Sequence, residues 1–137
     1  MKSLLLPAVV FAITVSMTGC ATVEQQLLSS NAVLLSSKDI REVFQNNTVS
    51  TTSGESFFCD LAGVITGQGS YGGILKGNWK ITDDGRICTA NWNSSTVPTG
   101  CFKVYYDAAA QQRKMVDVRG NLKYIIKDVV EGNPNNF

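Results

Sequence analysis

Turn-forming residues divide most of this chain into short segments of similar length. From position 48 onward, apolar residues recur with a period of two, which is typical of β-strands. The segments are separated by turn signals spaced about 10 residues apart, as in all-β folds. These signals are Ser53-Gly54, 67–69, Gly72-Gly73, 83–85, 98–100 and Gly120-Asn121. We therefore expect many short antiparallel strands.

The predicted strands are numerous enough to close on themselves. They fall near 48–52, 55–65, 70–75, 77–82, 86–93, 100–107, 112–118 and 121–130. A meander of this kind closes into a barrel or curves strongly. We predict a mainly β fold: a small antiparallel β-barrel or strongly curved sheet of about 7–8 short strands, with one N-terminal helix packed on it.

That helix is predicted over 38–44. Ser36-Ser37 provides an N-cap, and Asp39 places an acidic group in the first turn, as the helix dipole prefers. Ile40, Val43 and Phe44 recur at helical spacing and form one apolar face. Since 137 residues are enough for one domain, we expect a single β-rich domain over 36–137.

Residues 1–19 resemble a secretory leader. The apolar run 4–15 is shorter than the ~20 residues that a membrane-spanning helix needs. It ends in Ser-Met-Thr-Gly before Cys20, which resembles the lipobox of bacterial lipoproteins, although Met17 departs from the usual Leu. We predict a lipoprotein signal peptide over 1–19 and lipidation of Cys20. The alternative is ordinary signal cleavage near Ala21.

Acylation of Cys20 would determine where the protein resides. Several acyl chains, palmitate among them, hold a protein firmly on a membrane, whereas a single chain is marginal. Ala21 in the following position implies the outer membrane, by similarity to sorted lipoproteins. We expect a lipidated N-terminus and tether over 20–35, either a spacer or a weak helix, and a domain that faces the periplasm.

Four cysteines stand at positions 20, 59, 88 and 101. An exported protein enters an oxidising compartment, where thiols tend to pair. With Cys20 acylated, we favour a disulfide between Cys88 and Cys101, because they lie on adjacent predicted strands. Cys59 is then a buried free thiol, a partner in a mixed or intermolecular disulfide, or the replacement for one cysteine of that pair.

Charge and composition argue against several functions. The net charge is +1, and loss of Lys2 with the leader lowers Lys+Arg from 12 to 11, equal to the 11 Asp+Glu. A neutral chain without clustered basic residues does not resemble a nucleic-acid-binding protein. The chain has no His, and therefore lacks the commonest general base and a frequent zinc ligand. We expect no catalytic residues, no metal and no cofactor.

Carboxylates and aromatic side chains are the remaining candidates for a site. Asp83-Asp84-Gly85 predicts a hairpin turn rather than a pair of working carboxylates. Other acidic residues would form a site only if the fold brought them together: Asp60, Asp107, Asp117 and Asp128. Most aromatic side chains of the sheet region should lie in the core, and the alternative for some of them is to line a ligand site. The six residues are Tyr71, Trp79, Trp92, Phe102, Tyr105 and Tyr106.

Several segments are similar to a known family. GNWKITDDGRIC over 77–88 and CFKVY over 101–105 resemble the exported bacterial proteins grouped as domain of unknown function 995, in which a Gly-x-Trp strand, an acidic turn and a Cys precede a second Cys. Residues 37–49 resemble the opening helix and first strand of that family, and 132–134 its ending. The resemblance extends over 36–137 and implies an exported domain with a Cys88–Cys101 disulfide. It implies no activity.

These features together favour a binding protein. We expect a non-enzymatic binding or interaction module, anchored to the outer membrane through Cys20. Its partner is expected to be an unknown envelope protein at an exposed edge or a small apolar ligand inside the barrel. The alternative is a small inhibitor of a cell-wall-degrading enzyme, by analogy with lysozyme-inhibiting lipoproteins. Such an inhibitor would insert a loop that presents Ser94, Ser95 and Lys103.

Overall fold

The computed structural model describes residues 19–137, so the predicted signal peptide, apart from Gly19, lies outside the described residues. Within 19–137 there are two helices and nine strands. No helix in that range is long and apolar enough to cross a membrane. The elements are α1 (Val23–Ser29), β1 (Val33–Leu34), α2 (Ser37–Phe44), β2 (Asn47–Thr51), β3 (Ser56–Cys59), β4 (Val64–Gln68), β5 (Ile74–Ile81), β6 (Ile87–Ala90), β7 (Gly100–Asp107), β8 (Gln112–Val116) and β9 (Leu122–Glu131).

The strands β2 to β9 form a closed antiparallel barrel of eight strands. Neighbours in the chain pair from β2 through to β9, and β9 returns to pair with β2, which closes the ring. The predicted mainly β fold, with a small antiparallel barrel and a packed helix, is confirmed. An additional strand, β1, pairs with β7 at Tyr105 and Tyr106, beyond the part of β7 that pairs with β6.

Two of the predicted strand boundaries are wrong. The predicted strand over 55–65 is two strands, because Asp60 Oδ1 accepts hydrogen bonds from the backbone N–H groups of Ala62 at 2.9 Å and Val64 at 2.7 Å and turns the chain. The predicted strand over 70–75 is mostly the next turn, in which the Gly72 N–H bonds the carbonyl oxygen of Gly69 at 2.9 Å.

The barrel interior is filled by side chains that alternate along the strands. On β5, for example, Leu75 and Trp79 are buried while Lys76 and Lys80 between and after them are exposed. The apolar face of α2 completes this core. Its members are Ile40, Val43 and Phe44, as the helical spacing predicted.

Helix α2 covers one end of the barrel. Its N-cap Ser36 and Asp39 form a capping box. The Ser37 hydroxyl then donates to the carbonyl oxygen of Thr82, 2.9 Å away in the turn after β5. From this turn the helix runs to the start of β2, so its two ends are fixed to different strands. We call this the α2 end, and it also carries the connections 60–63, 82–86 and 108–111.

The opposite end, which we call the loop end, carries the connections 52–55, 69–73, 91–99 and 117–121. Connection 91–99 folds back over the core, and the rings of Trp92 and Phe57 lie 5.6 Å apart between centroids. A glycine makes this packing possible, because a Cβ added to Gly77 would lie 2.9 Å from the Trp92 ring and 2.8 Å from the Ala90 carbonyl oxygen. The barrel is therefore covered at both ends by its own chain.

Candidate interaction site

The predicted lipidation site lies next to the first helix. Cys20 is exposed, and α1 begins at Val23. Thr22 caps α1: its Oγ1 accepts from the Gln25 N–H at 3.2 Å, and Gln25 Oε1 accepts from the Thr22 N–H at 2.9 Å. The chain is thus folded almost from Cys20 onward. Acylation of that thiol stays a prediction.

Helix α1 lies on the outer wall of the barrel. Leu27 is 3% exposed and packs against Tyr105 and Val116, which point outward from β7 and β8. Further along, the backbone of β1 pairs with β7. Most of the segment 20–35, which the sequence assigned to a tether, therefore contacts the domain.

A carboxylate from α1 fixes this contact. Glu24 Oε1 accepts hydrogen bonds from Lys103 Nζ at 2.8 Å and from the Tyr105 hydroxyl at 2.5 Å. The Lys103 and Tyr105 hydrogen bonds hold the pKa of Glu24 below its usual value. Burial, together with the bond to Glu24, raises the pKa of Tyr105 to about 12. The three side chains form one charge-assisted cluster between α1 and the barrel wall.

The pairing of β6 with β7 determines which cysteines of the barrel form a disulfide. Cys88 and Cys101 stand opposite each other on these strands and form a disulfide. Cys59 is free and fully buried, so it does not replace either member of the pair. Burial, and secondarily the charge of Asp60, raises the pKa of the Cys59 thiol well above its usual range. Its reactive thiolate form is therefore rare.

The core contains one small apolar cavity of about 40 Å³. Its walls include Phe44 of α2, Phe57 of β3 and Trp92 of the connection 91–99. Sites for small organic ligands are usually ~300–1,000 Å³. Side chains therefore fill most of the interior, and the cavity is much smaller than a site of that kind.

An open groove of about 630 Å³ lies at the α2 end, between α2, β1 and the β7–β8 hairpin. Apolar and charged side chains both line it, and the Arg113 guanidinium stands 6.0 Å from the centroid of the Tyr106 ring. Val33 is 58% exposed there. We call this the interaction groove, and its lining residues are Val33, Leu35, Asp39, Glu42, Val43, Tyr106, Gln111, Arg113 and Val129.

The fold does not bring the scattered aspartates together. Asp60 and Asp117 each bond backbone N–H groups of their own turns, while Asp107 pairs with Lys114 at 2.8 Å. Asp83 and Asp84 lie in the predicted hairpin turn between β5 and β6. Among residues 19–137, no group of three or more acidic or Cys side chains is placed to hold a metal ion.

The three residues expected to form one inhibitory loop lie on two different parts of the barrel. Ser94 and Ser95 belong to the connection 91–99, where the Ser94 hydroxyl lies 2.8 Å from that of Thr96. Lys103 is on β7 instead, bonded to Glu24 beneath α1. Sequence reasoning did not find the interaction groove, because its residues come from five separate elements.

A comparison with protein families gives one match. The profile described as "Protein of unknown function (DUF995)" matches residues 12–119. The chain belongs to the DUF995 family. No curated protein and no solved structure matches it.

The DUF995 match and the resemblance read from the sequence differ in extent. The matched region begins at residue 12 and so includes α1 and β1, which the resemblance over 36–137 left out. It ends at residue 119, before β9, although β9 is the strand that closes the barrel of this DUF995 protein.

Proposed function

We propose that this DUF995 protein is a non-enzymatic interaction module, anchored to the outer membrane through lipid on Cys20 and facing the periplasm. Its proposed partner is another protein of the cell envelope, which it binds in the interaction groove. The observation that carries this proposal is the filled barrel. A cavity of about 40 Å³ leaves no room for a small-molecule ligand of ordinary size, so a surface site is favoured.

The composition of the groove supports a protein partner. Protein interfaces combine an apolar centre with a polar rim, and arginine and tyrosine are enriched in them. Here Val33 and Leu35 supply apolar surface, and the Arg113 guanidinium lies 6.0 Å from the centroid of the Tyr106 ring. Asp39 and Glu42 of α2 contribute negative charge to the rim. A partner segment with an apolar side chain flanked by a basic one would complement this arrangement.

One edge of β1 lies close to the groove. Among residues 19–137, β1 pairs with β7 on one side and with no strand on the other. Edges of this kind accept an extended peptide through backbone hydrogen bonds. Val33 and Leu34 are both about half exposed, at 58% and 48%. A peptide added beside β1 would lie next to Val33, which lines the groove.

Inhibition of a cell-wall-degrading enzyme receives less support. The connection that would have to insert into an enzyme is held on the barrel, since Trp92 packs against Phe57 and Val97 contacts the core. Its backbone is also tied to β5, because the Asn93 N–H donates to the carbonyl oxygen of Lys76 at 2.9 Å. The groove is therefore the preferred site.

Site-specific photo-crosslinking in intact cells tests the proposal. A photoreactive amino acid at Val33 should give a discrete adduct with one envelope protein. The same probe at Lys80, an exposed position on β5 away from the groove, is the matched control. We expect the Val33 adduct to disappear when Arg113→Glu is added, because this change reverses a charge in the groove without altering the core.

Two results would contradict the proposal. Equal labelling from Val33 and Lys80 would show that the groove is not a specific site. A Val33 adduct that persists in full with Arg113→Glu, and also with Tyr106→Ala, would show that the partner does not contact the groove side chains. An unmodified Cys20 thiol in the intact mass of the native protein would remove the anchor from the proposal.

A further inference from the structure

The segment that connects Cys20 to α1 contacts the barrel at a defined place. The Glu24 N–H donates to the carbonyl oxygen of Gly120 at 3.1 Å. A Cβ added to Gly120 would lie only 3.1 Å from Thr22 Oγ1. Gly120 belongs to the connection 117–121 at the loop end. The start of α1 is therefore packed against the loop end of the barrel.

Cys20 must consequently lie near the same connection. Two residues of extended chain span at most about 7 Å, and Cys20 is two residues from Thr22. Val118 is likewise two residues from Gly120. Because α1 is fixed through Glu24 and Leu27, this arrangement does not depend on a flexible tether. Acyl chains on Cys20 would thus emerge near the connection 117–121, to which Val118 belongs.

Exposed apolar side chains occur on opposite sides of the loop end. Val118, in the connection 117–121, is 71% exposed. Across the barrel, in the connection 69–73, Tyr71 is fully exposed, and Ile74 just after it is 71% exposed. Arg119 is exposed between Val118 and Gly120. Aromatic and apolar tips beside a basic residue are the surface groups that settle at a membrane interface.

We infer that the loop end lies on the lipid surface when Cys20 is acylated, with Val118 and Tyr71 as its contact side chains. The inference rests on the lipid anchor of the proposed function and adds an orientation to it. The barrel axis then points away from the membrane. The α2 end, with the interaction groove, faces the periplasm, where a protein partner can reach it.

Fluorescence of single labelled cysteines tests this orientation. The acylated protein, purified in detergent, is reconstituted into vesicles of phosphatidylcholine and phosphatidylglycerol. An environment-sensitive dye is attached through Val118→Cys, Tyr71→Cys or, as control, Leu61→Cys. Leu61 is 71% exposed, as Val118 is, but lies in the connection 60–63 at the α2 end. The remaining thiol, Cys59, is buried and does not compete for the dye.

We expect quenching by nitroxide-labelled lipids to be several-fold stronger at positions 118 and 71 than at position 61, with a blue shift of emission at the first two. Equal, weak quenching at all three positions in protein that floats with the vesicles would overturn the orientation and leave the anchor intact. Stronger quenching at position 61 would show the reverse orientation. Protein that does not float, with an unmodified Cys20 in its intact mass, would overturn both the anchor and the inference.

Discussion

The hydroxyl group of Tyr105 donates a 2.5 Å hydrogen bond to Glu24, a residue 81 positions earlier in the chain. The same carboxylate oxygen accepts from Lys103, so both donors come from one strand of the barrel. This contact joins the first helix to the β-sheet and determines where Cys20 emerges. Its removal should loosen α1 without opening the barrel, because the core cluster that fills the barrel does not include Leu27 or Tyr105.

We predict that Glu24→Gln weakens the docking of α1 by about 1–2 kcal/mol, since hydrogen bonds to a charged group are the stronger kind. Amide hydrogen exchange should accelerate over residues 23–30 and stay unchanged in β5. Glu42→Gln is the control, because Glu42 is exposed and its partner Lys38 is 4.0 Å away. Unchanged exchange in α1 of the Glu24 variant would show that the cluster does not hold the helix.

The same contact should respond to acid. The pKa of Glu24 is lowered in the folded protein by its Lys103 and Tyr105 bonds. Its contribution to docking is therefore complete above the ordinary carboxyl pKa of about 4.3 and is lost as the pH falls through the lowered folded value. Exchange rates in α1, corrected for intrinsic pH effects, should rise in that acidic window. Glu24→Gln should abolish this response.

Loss of the disulfide should destabilise the barrel by about 3 kcal/mol on the chain-entropy account. Cys88 and Cys101 are 13 positions apart, so the bond closes a short loop. We expect urea unfolding of the double variant Cys88→Ser, Cys101→Ser to have a lower midpoint. Reduced wild-type protein should unfold at the same urea concentration as this variant. A midpoint shared by oxidised and reduced wild type would contradict the prediction.

Gly77 should not tolerate a side chain. A methyl group there would meet the Trp92 ring and the Ala90 carbonyl oxygen at less than 3.0 Å, and overpacking of a core usually costs about 1–3 kcal/mol. Gly73→Ala is the matched control, because nothing lies within 4 Å of a Cβ added to Gly73. Thermal unfolding should separate the two variants, with only Gly77→Ala showing a clear loss.

Cys59 should be inert in the native protein. Burial raises the pKa of its thiol, and the side chain has no exposed surface. In protein carrying Cys20→Ser, a thiol reagent should modify nothing under native conditions and one cysteine after unfolding in urea. Modification of Cys59 before unfolding would show that the core opens more readily than its packing suggests.

The sequence predicted the barrel well, because the relevant signals are local. The helix face of Ile40, Val43 and Phe44 and the strand over 100–107 were identified with nearly the observed boundaries. The apolar residues of 55–65 predict one strand, but the hydrogen bonds of Asp60 turn the chain and divide the segment into β3 and β4. That turn had a readable signal in Asp60 followed by Gly63, which has a positive φ of 84°.

The contacts between α1 and the outer wall of the barrel are harder to predict from the sequence. The capping pattern of Thr22 and Gln25 was present in the sequence and predicts the start of α1. Nothing local indicates that Glu24 meets Lys103, or that Tyr105 faces outward beneath a helix instead of joining the core. Tyr71, one of six aromatic residues of which the sequence places most in the core, is fully exposed. Such features depend on which elements meet, and a single sequence does not contain that information.

The pairing of β9 with both β2 and β8 also has a consequence for biogenesis. Because β9 follows the other strands of the barrel in the chain, the ring stays unsealed until β9 has reached the compartment in which the chain folds. Until then, two unpaired edges of a nearly complete sheet are available to other nascent chains. A chain interrupted before residue 122 lacks β9 and should therefore accumulate as aggregates.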